Sequence, residues 1–100
     1  MIIAIVKMKA LPDKCLELQQ TLLALIKPTR NEKGFLGHHV FRDIEHENNF
    51  TLIYQWVDRE TLDKHLCSDR FAVLMGTRSL LIRPPKIIIN TVSDSSALTC

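Results

Sequence analysis

Hydrophobic and polar positions follow two rhythms along this chain, and the switches between them mark its elements. Ile2 to Lys9 is rich in β-branched residues and is followed by Leu11, Pro12 and Asp13, which predicts a strand stopped by a turn. From Asp13 the period lengthens. Cys15, Leu18, Leu22 and Leu25 recur at three- and four-residue steps, Leu16, Leu23 and Ile26 widen the stripe, and Asp13 is placed to cap the resulting amphipathic helix. Pro28 lacks the N–H needed by the preceding turn, so the helix should kink or break near Ile26 before resuming or fraying toward Gly34.

Gly34-Phe35-Leu36-Gly37 opens a second strand through Phe41. The acidic, amide-rich stretch Asp43 to Asn49 then forms a hairpin-like connection to a third strand, Phe50 to Val57. Asp58 caps a helix through Leu66, and Ser68 caps another toward Ile82. Pro84 and Pro85 end that helix before a final β-branched strand, Lys86 to Val92. Ser93 to Cys100 reads as a polar tail behind a single domain over residues 1–92.

The order βαββαβ, with the second helical region split, specifies an α+β fold of ferredoxin-like type: an antiparallel sheet with helices on one face. The strands are apolar on both alternating sets, for example Ile2, Ala4, Val6 and Met8 against Ile3 and Ile5. A solvated face would alternate with polar residues, so the uncovered face is expected to pair with a second copy as a homodimer.

Composition narrows the function classes. A chain of 100 residues is one domain, and its 13 basic and 11 acidic residues are scattered without a basic stripe, which argues against nucleic-acid binding. Cys15, Cys67 and Cys100 are odd in number and lack CxxC spacing, which disfavours a disulfide framework and suggests a reducing cytoplasm. The apolar opening is cut by Lys7 and Lys9, far short of the roughly 20 residues of a membrane span.

The candidate chemistry is concentrated between Phe50 and Phe71. Alternation puts Leu52, Tyr54 and Trp56 on one face of the third strand, the better one to meet the helices. Trp56 is either a core residue closing the strand or the wall of an aromatic pocket with one N–H donor. His65, among Leu62, Leu66 and Phe71, is either a helix-end residue or a proton acceptor lining that pocket. His38 and His39 are adjacent in a strand and point to opposite faces, so they cannot chelate one metal together. No phosphate-binding glycine loop, dinucleotide fingerprint, metal signature or serine elbow occurs.

Gly34-Phe35-Leu36-Gly37, Gln55-Trp56 before a helix, His65-Leu66-x-Ser68-x-x-Phe71, and Leu81 to Pro85 before the last strand together make the chain resemble the antibiotic biosynthesis monooxygenase family from Ile2 to Val92. The resemblance implies a dimeric α+β barrel and a monooxygenase that uses neither metal nor flavin. Such a protein binds a small quinol-like or phenolic aromatic, assists its deprotonation and lets the substrate carbanion reduce dioxygen. It further implies that Trp56 holds the ring and His65 is the base, with Leu52, Tyr54, Leu62, Phe71, Leu74 and Met75 around the substrate.

Departures limit the transfer. Polyketide-oxidising members have an asparagine where Leu52 stands and a tyrosine near Leu62. Haem-degrading relatives have a tryptophan in place of His65, a histidine near Met75 and an asparagine around Lys7, which argues against haem degradation here. Lys7 either points inward and favours an anionic substrate or lies at an edge or dimer rim. Two other readings remain: a dimer that binds a small ligand without turnover, and an isomerase-like enzyme on a small phosphorylated metabolite, which needs Lys7 or Arg78 in the pocket.

Overall fold

The computed structural model describes residues 1–99; Cys100, the end of the expected tail, lies outside the described residues. Its elements are β1 (Ile2–Lys9), α1 (Cys15–Ala24), α2 (Ile26–Arg30), β2 (Phe35–Arg42), β3 (Asn49–Trp56), α3 (Arg59–Leu66), α4 (Asp69–Gly76), a 3-10 helix (Thr77–Leu80) and β4 (Lys86–Thr91). The fold is the expected α+β, ferredoxin-like arrangement. One four-stranded antiparallel sheet runs in the order β2-β3-β1-β4.

Pairing register explains the layers. Ala4 stands opposite Tyr54 and Ile89, and Val6 opposite Leu52 and Ile87, so side chains of one parity from every strand share a face. Ile2, Ala4, Val6, Met8, Phe50, Leu52, Tyr54 and Trp56 are buried there and meet Leu18, Leu22, Leu62 and Leu74 from the helices. The opposite parity gives an open face bearing half-buried Ile3, Ile5, Ile53 and Ile88, with exposed His39, Phe41 and Lys7.

Local chemistry fixes the helix ends. The Asp58 carboxylate accepts from the Thr61 N–H at 2.9 Å and the Ser68 hydroxyl from the Phe71 N–H at 3.2 Å, so both expected caps form. Asp13 does not cap α1: a turn from Leu11 to Lys14 intervenes, and Lys14 occupies the cap position without a side-chain bond. The helical stripe is also narrower than the sequence predicts. Leu16 and Leu23 are exposed, because the sheet contacts only the Leu18–Leu22 side.

The break before Pro28 falls at Leu25, where α1 gives way to α2. The last helix stops at Gly76 rather than near Ile82. The Thr77 hydroxyl donates to the Leu74 carbonyl at 2.6 Å, the chain tightens into the 3-10 turn, and Leu81 then pairs with Ala10. Among the described residues, no helix is long and apolar enough to cross a membrane.

Candidate active site

At the Trp56 end of β3 an aromatic cluster forms from three segments of chain. Tyr54 and Trp56 arrive at i and i+2 on the helix-covered face. The Asp58 cap then starts α3 at once, and Thr61, Leu62 and His65, at three- and four-residue spacing, turn inward together. Phe71 enters from α4. The His65 ring lies 4.9 Å from both Tyr54 and Trp56 and meets Phe71 edge-on at 5.7 Å.

On the far side, Phe35 meets Trp56 edge-on at 5.7 Å, and His38 stacks on Tyr54 at 4.5 Å. His38 is therefore the one of the adjacent pair that faces the helices, while His39 lies exposed on the open face. Leu52 and Leu62 are buried in the same core, and Met75 packs against it. Lys7 lies on the open face, exposed and away from the cluster.

The cluster is polar at its ring nitrogens. His65 is 1% exposed, and its Nδ1 lies 2.7 Å from Glu32 Oε2, on the loop between α2 and β2. A carboxylate offers only acceptors, so Nδ1 carries the proton and Nε2 presents a lone pair. That Nε2 is buried without a hydrogen-bond partner, as are Trp56 Nε1 and both nitrogens of His38. An orphaned buried polar group costs about 1–3 kcal/mol, so four of them in one cluster mark a place where a ligand's polar atoms would be stabilising.

Burial sets the protonation states. Desolvation lowers the His65 pKa and outweighs the opposing hydrogen bond and charge of Glu32. His38 is lowered to about 4, chiefly by burial and further by the charge of His65, and burial raises the Tyr54 phenol. At neutral pH the cluster therefore holds two neutral imidazoles and an un-ionised phenol. Glu32 is itself held by Arg70, whose Nη2 lies 3.1 Å from Oε1.

Trp56 is fully buried, so the rings pack against one another rather than around an open cleft. A concavity of about 380 Å³ lies at the other end of the sheet, lined by Lys7, Lys9, Asp43, Thr51, Arg83 and Lys86 among others. Sequence reasoning did not find Glu32 or Arg70. Neither stands in a motif, and Glu32 meets His65 across 33 positions of chain.

A family model for the antibiotic biosynthesis monooxygenases matches residues 1–76. An uncharacterised protein of Synechocystis is 28% identical over 91 residues, which are 90% of this chain but 62% of that protein, so the chain spans under two thirds of this relative. The solved structure of a conserved protein from Methanosarcina mazei is 27% identical with a TM-score of 0.83, covering 89% of each chain. A mutant of SnoaB, a cofactor-independent oxygenase from Streptomyces nogalater, is 14% identical with a TM-score of 0.81 over 94% of each chain, a likeness of fold alone.

Proposed function

The chain belongs to the antibiotic biosynthesis monooxygenase family, and on that premise we propose that it is a cofactor-independent monooxygenase of a small quinol-like or phenolic aromatic, with His65 as its base. The observation that carries this reading is the unpartnered, buried Nε2 of a neutral His65 whose other nitrogen is bound to Glu32. A neutral imidazole held in one tautomer is the group needed to accept a hydroxyl proton at neutral pH.

For a quinol, Nε2 takes the phenolic proton and the ring carbon gains carbanion character. That carbon passes an electron to dioxygen, the two radicals join as a peroxide anion, and His65 returns its proton to make the hydroperoxide. Loss of the proton on that ring carbon then breaks the O–O bond and forms the new carbonyl, and the departing hydroxide takes that proton and leaves as water. Quinol plus dioxygen thus gives hydroxyquinone plus water, and the substrate supplies all four electrons. Trp56 and Phe71 would flank the ring, with Leu52, Tyr54, Leu62 and Met75 excluding water from the carbanion. The same fold serves a cofactor-independent oxygenase in Streptomyces nogalater.

The protein would act as a homodimer through the open face with Ile3, Ile5, Ile53 and Ile88. Free Cys15 and Cys67 accord with the cytoplasm as its compartment. An oxygen electrode tests the activity against a panel of quinols: His65→Ala abolishes uptake while the fold persists, and unchanged uptake removes His65 as the base.

One observation favours a second reading, ligand binding without turnover: Trp56 and His65 are sealed from solvent. Thermal stabilisation by quinols with no oxygen consumed would support it. The isomerase-like reading has less support, since Lys7 lies on the open face and Arg78 is exposed on the 3-10 helix.

A further inference from the structure

We propose that Glu32 is a positioning residue for the His65 base and that Arg70 locks it in place, the three side chains working as one unit. The inference rests on His65 acting as the base, and it adds how that base is kept in its working form. Both oxygens of Glu32 are engaged, Oε2 by His65 Nδ1 at 2.7 Å and Oε1 by Arg70 Nη2 at 3.1 Å. A carboxylate held at both oxygens cannot rotate away, so the imidazole keeps its Nδ1–H and directs its Nε2 lone pair into the rings.

The three groups descend in exposure toward the interior. The Arg70 side chain is 38% exposed, Glu32 13% and His65 1%. Backbone bonds set the height of Glu32: its N–H donates to Thr29 O at 3.1 Å and its carbonyl accepts from the Phe35 N–H at 3.3 Å. The loop that carries the carboxylate is thereby tied to α2 on one side and β2 on the other.

The charges around His65 give the unit a signature. Facing it are Glu32 from the loop, Arg70 from α4, Tyr54 from β3 and His38 from β2; Tyr54 stays a phenol, and His38 stays neutral above a pH of about 4. Glu32 favours the imidazolium and Arg70 opposes it. Glu32→Gln should therefore lower the His65 titration midpoint, whereas Arg70→Gln removes an opposing charge and the hold on Glu32 together and is read by the tautomer instead. Arg70→Lys, which keeps the charge and a donor for the Glu32 carboxylate, should keep the wild-type tautomer.

The test is an NMR titration of His65 in the isotope-labelled protein, made without substrate, alongside oxygen uptake at a series of pH values. We expect a pure Nδ1–H tautomer in the wild type and a mixture in Glu32→Gln. We also expect a lowered midpoint in Glu32→Gln and a mixed tautomer in Arg70→Gln. Uptake in Glu32→Gln should fall roughly 10- to 100-fold, part of the 10²–10⁴ that a positioned base contributes.

A folded Glu32→Gln protein with unchanged tautomer and midpoint overturns the proposal whatever its activity. Should that variant not fold, Arg70→Gln decides through the tautomer: with Glu32 released from its lock the Nδ1–H form should give way to a mixture, and a tautomer as pure as that of the wild type overturns the proposal. Unchanged uptake in His65→Ala would instead remove the base and leave the NMR result standing, so the two failures are distinguishable.

Discussion

Gly34 and Thr61 occupy one small volume: a Cβ on Gly34 would lie 2.5 Å from both the Oγ1 and the Cγ2 of Thr61. Gly34 also has φ of +83°, a left-handed conformation that costs other residues about 1–2 kcal/mol. Thr61 cannot yield, because its hydroxyl is bonded to the Asp58 carboxylate at 2.9 Å in the cap of α3. This contact presses the loop bearing Glu32 against the helix bearing His65.

Gly34→Ala is therefore expected to destabilise the fold by about 2–4 kcal/mol, strain and overpacking acting together. It should also separate Glu32 from His65. A urea unfolding curve measures the first effect and the His65 tautomer the second; a variant as stable as the wild type would contradict the packing described.

Acid should weaken the protein before its carboxylates protonate. Burial holds the His38 pKa at about 4, whereas the unfolded chain titrates near 6.5. Between those values the unfolded chain binds a proton that the folded chain refuses. Stability is thus fully present above about 6.5 and is lost as pH falls toward 4, by roughly 3 kcal/mol. His65, also lowered, adds to the loss in the same direction. Asp43 and Asp58, whose pKa values are lowered by their hydrogen bonds, act only below the ordinary carboxylate range, so the windows separate. Urea midpoints at pH 7 and 4.5 measure the effect, and His38→Phe should flatten it.

Trp56 is the largest fully buried side chain. Trp56→Ala is expected to cost about 3–5 kcal/mol, a large part of the 5–15 kcal/mol of a typical domain. Trp56→Phe should cost only about 1–2 kcal/mol, since a ring still fills the space. If oxygen uptake survives in a folded Trp56→Phe protein at the wild-type KM, the indole N–H does not orient the substrate.

What was legible in the sequence was what is set locally. Alternation placed Leu52, Tyr54 and Trp56 on the helix-covered face, and Asp58 and Ser68 cap the helices they precede, because each depends on neighbours within four residues. Asp13 failed as a cap because the Leu11 carbonyl formed a turn with Lys14 first. The widened stripe of Leu16 and Leu23 failed because periodicity shows which way residues point and not how much surface lies opposite. Glu32 was illegible for a different reason: its partner is supplied by tertiary packing, and nothing in Arg30-Asn31-Glu32-Lys33 distinguishes a buried carboxylate from a solvated one.

The sheet order also governs how the protein comes into being. β1 is central, flanked by β3 and β4, yet it is translated before either of them. At about 5–20 residues per second, roughly 4–15 s separate Lys9 from Lys86 during synthesis. For that interval the β-branched segment Ile2 to Val6 lacks β4, and for the first half of it β3 as well, leaving an edge open to pairing with other nascent chains. Slowing translation of the stretch after Trp56 should therefore increase aggregation, and an unchanged aggregated fraction would contradict this.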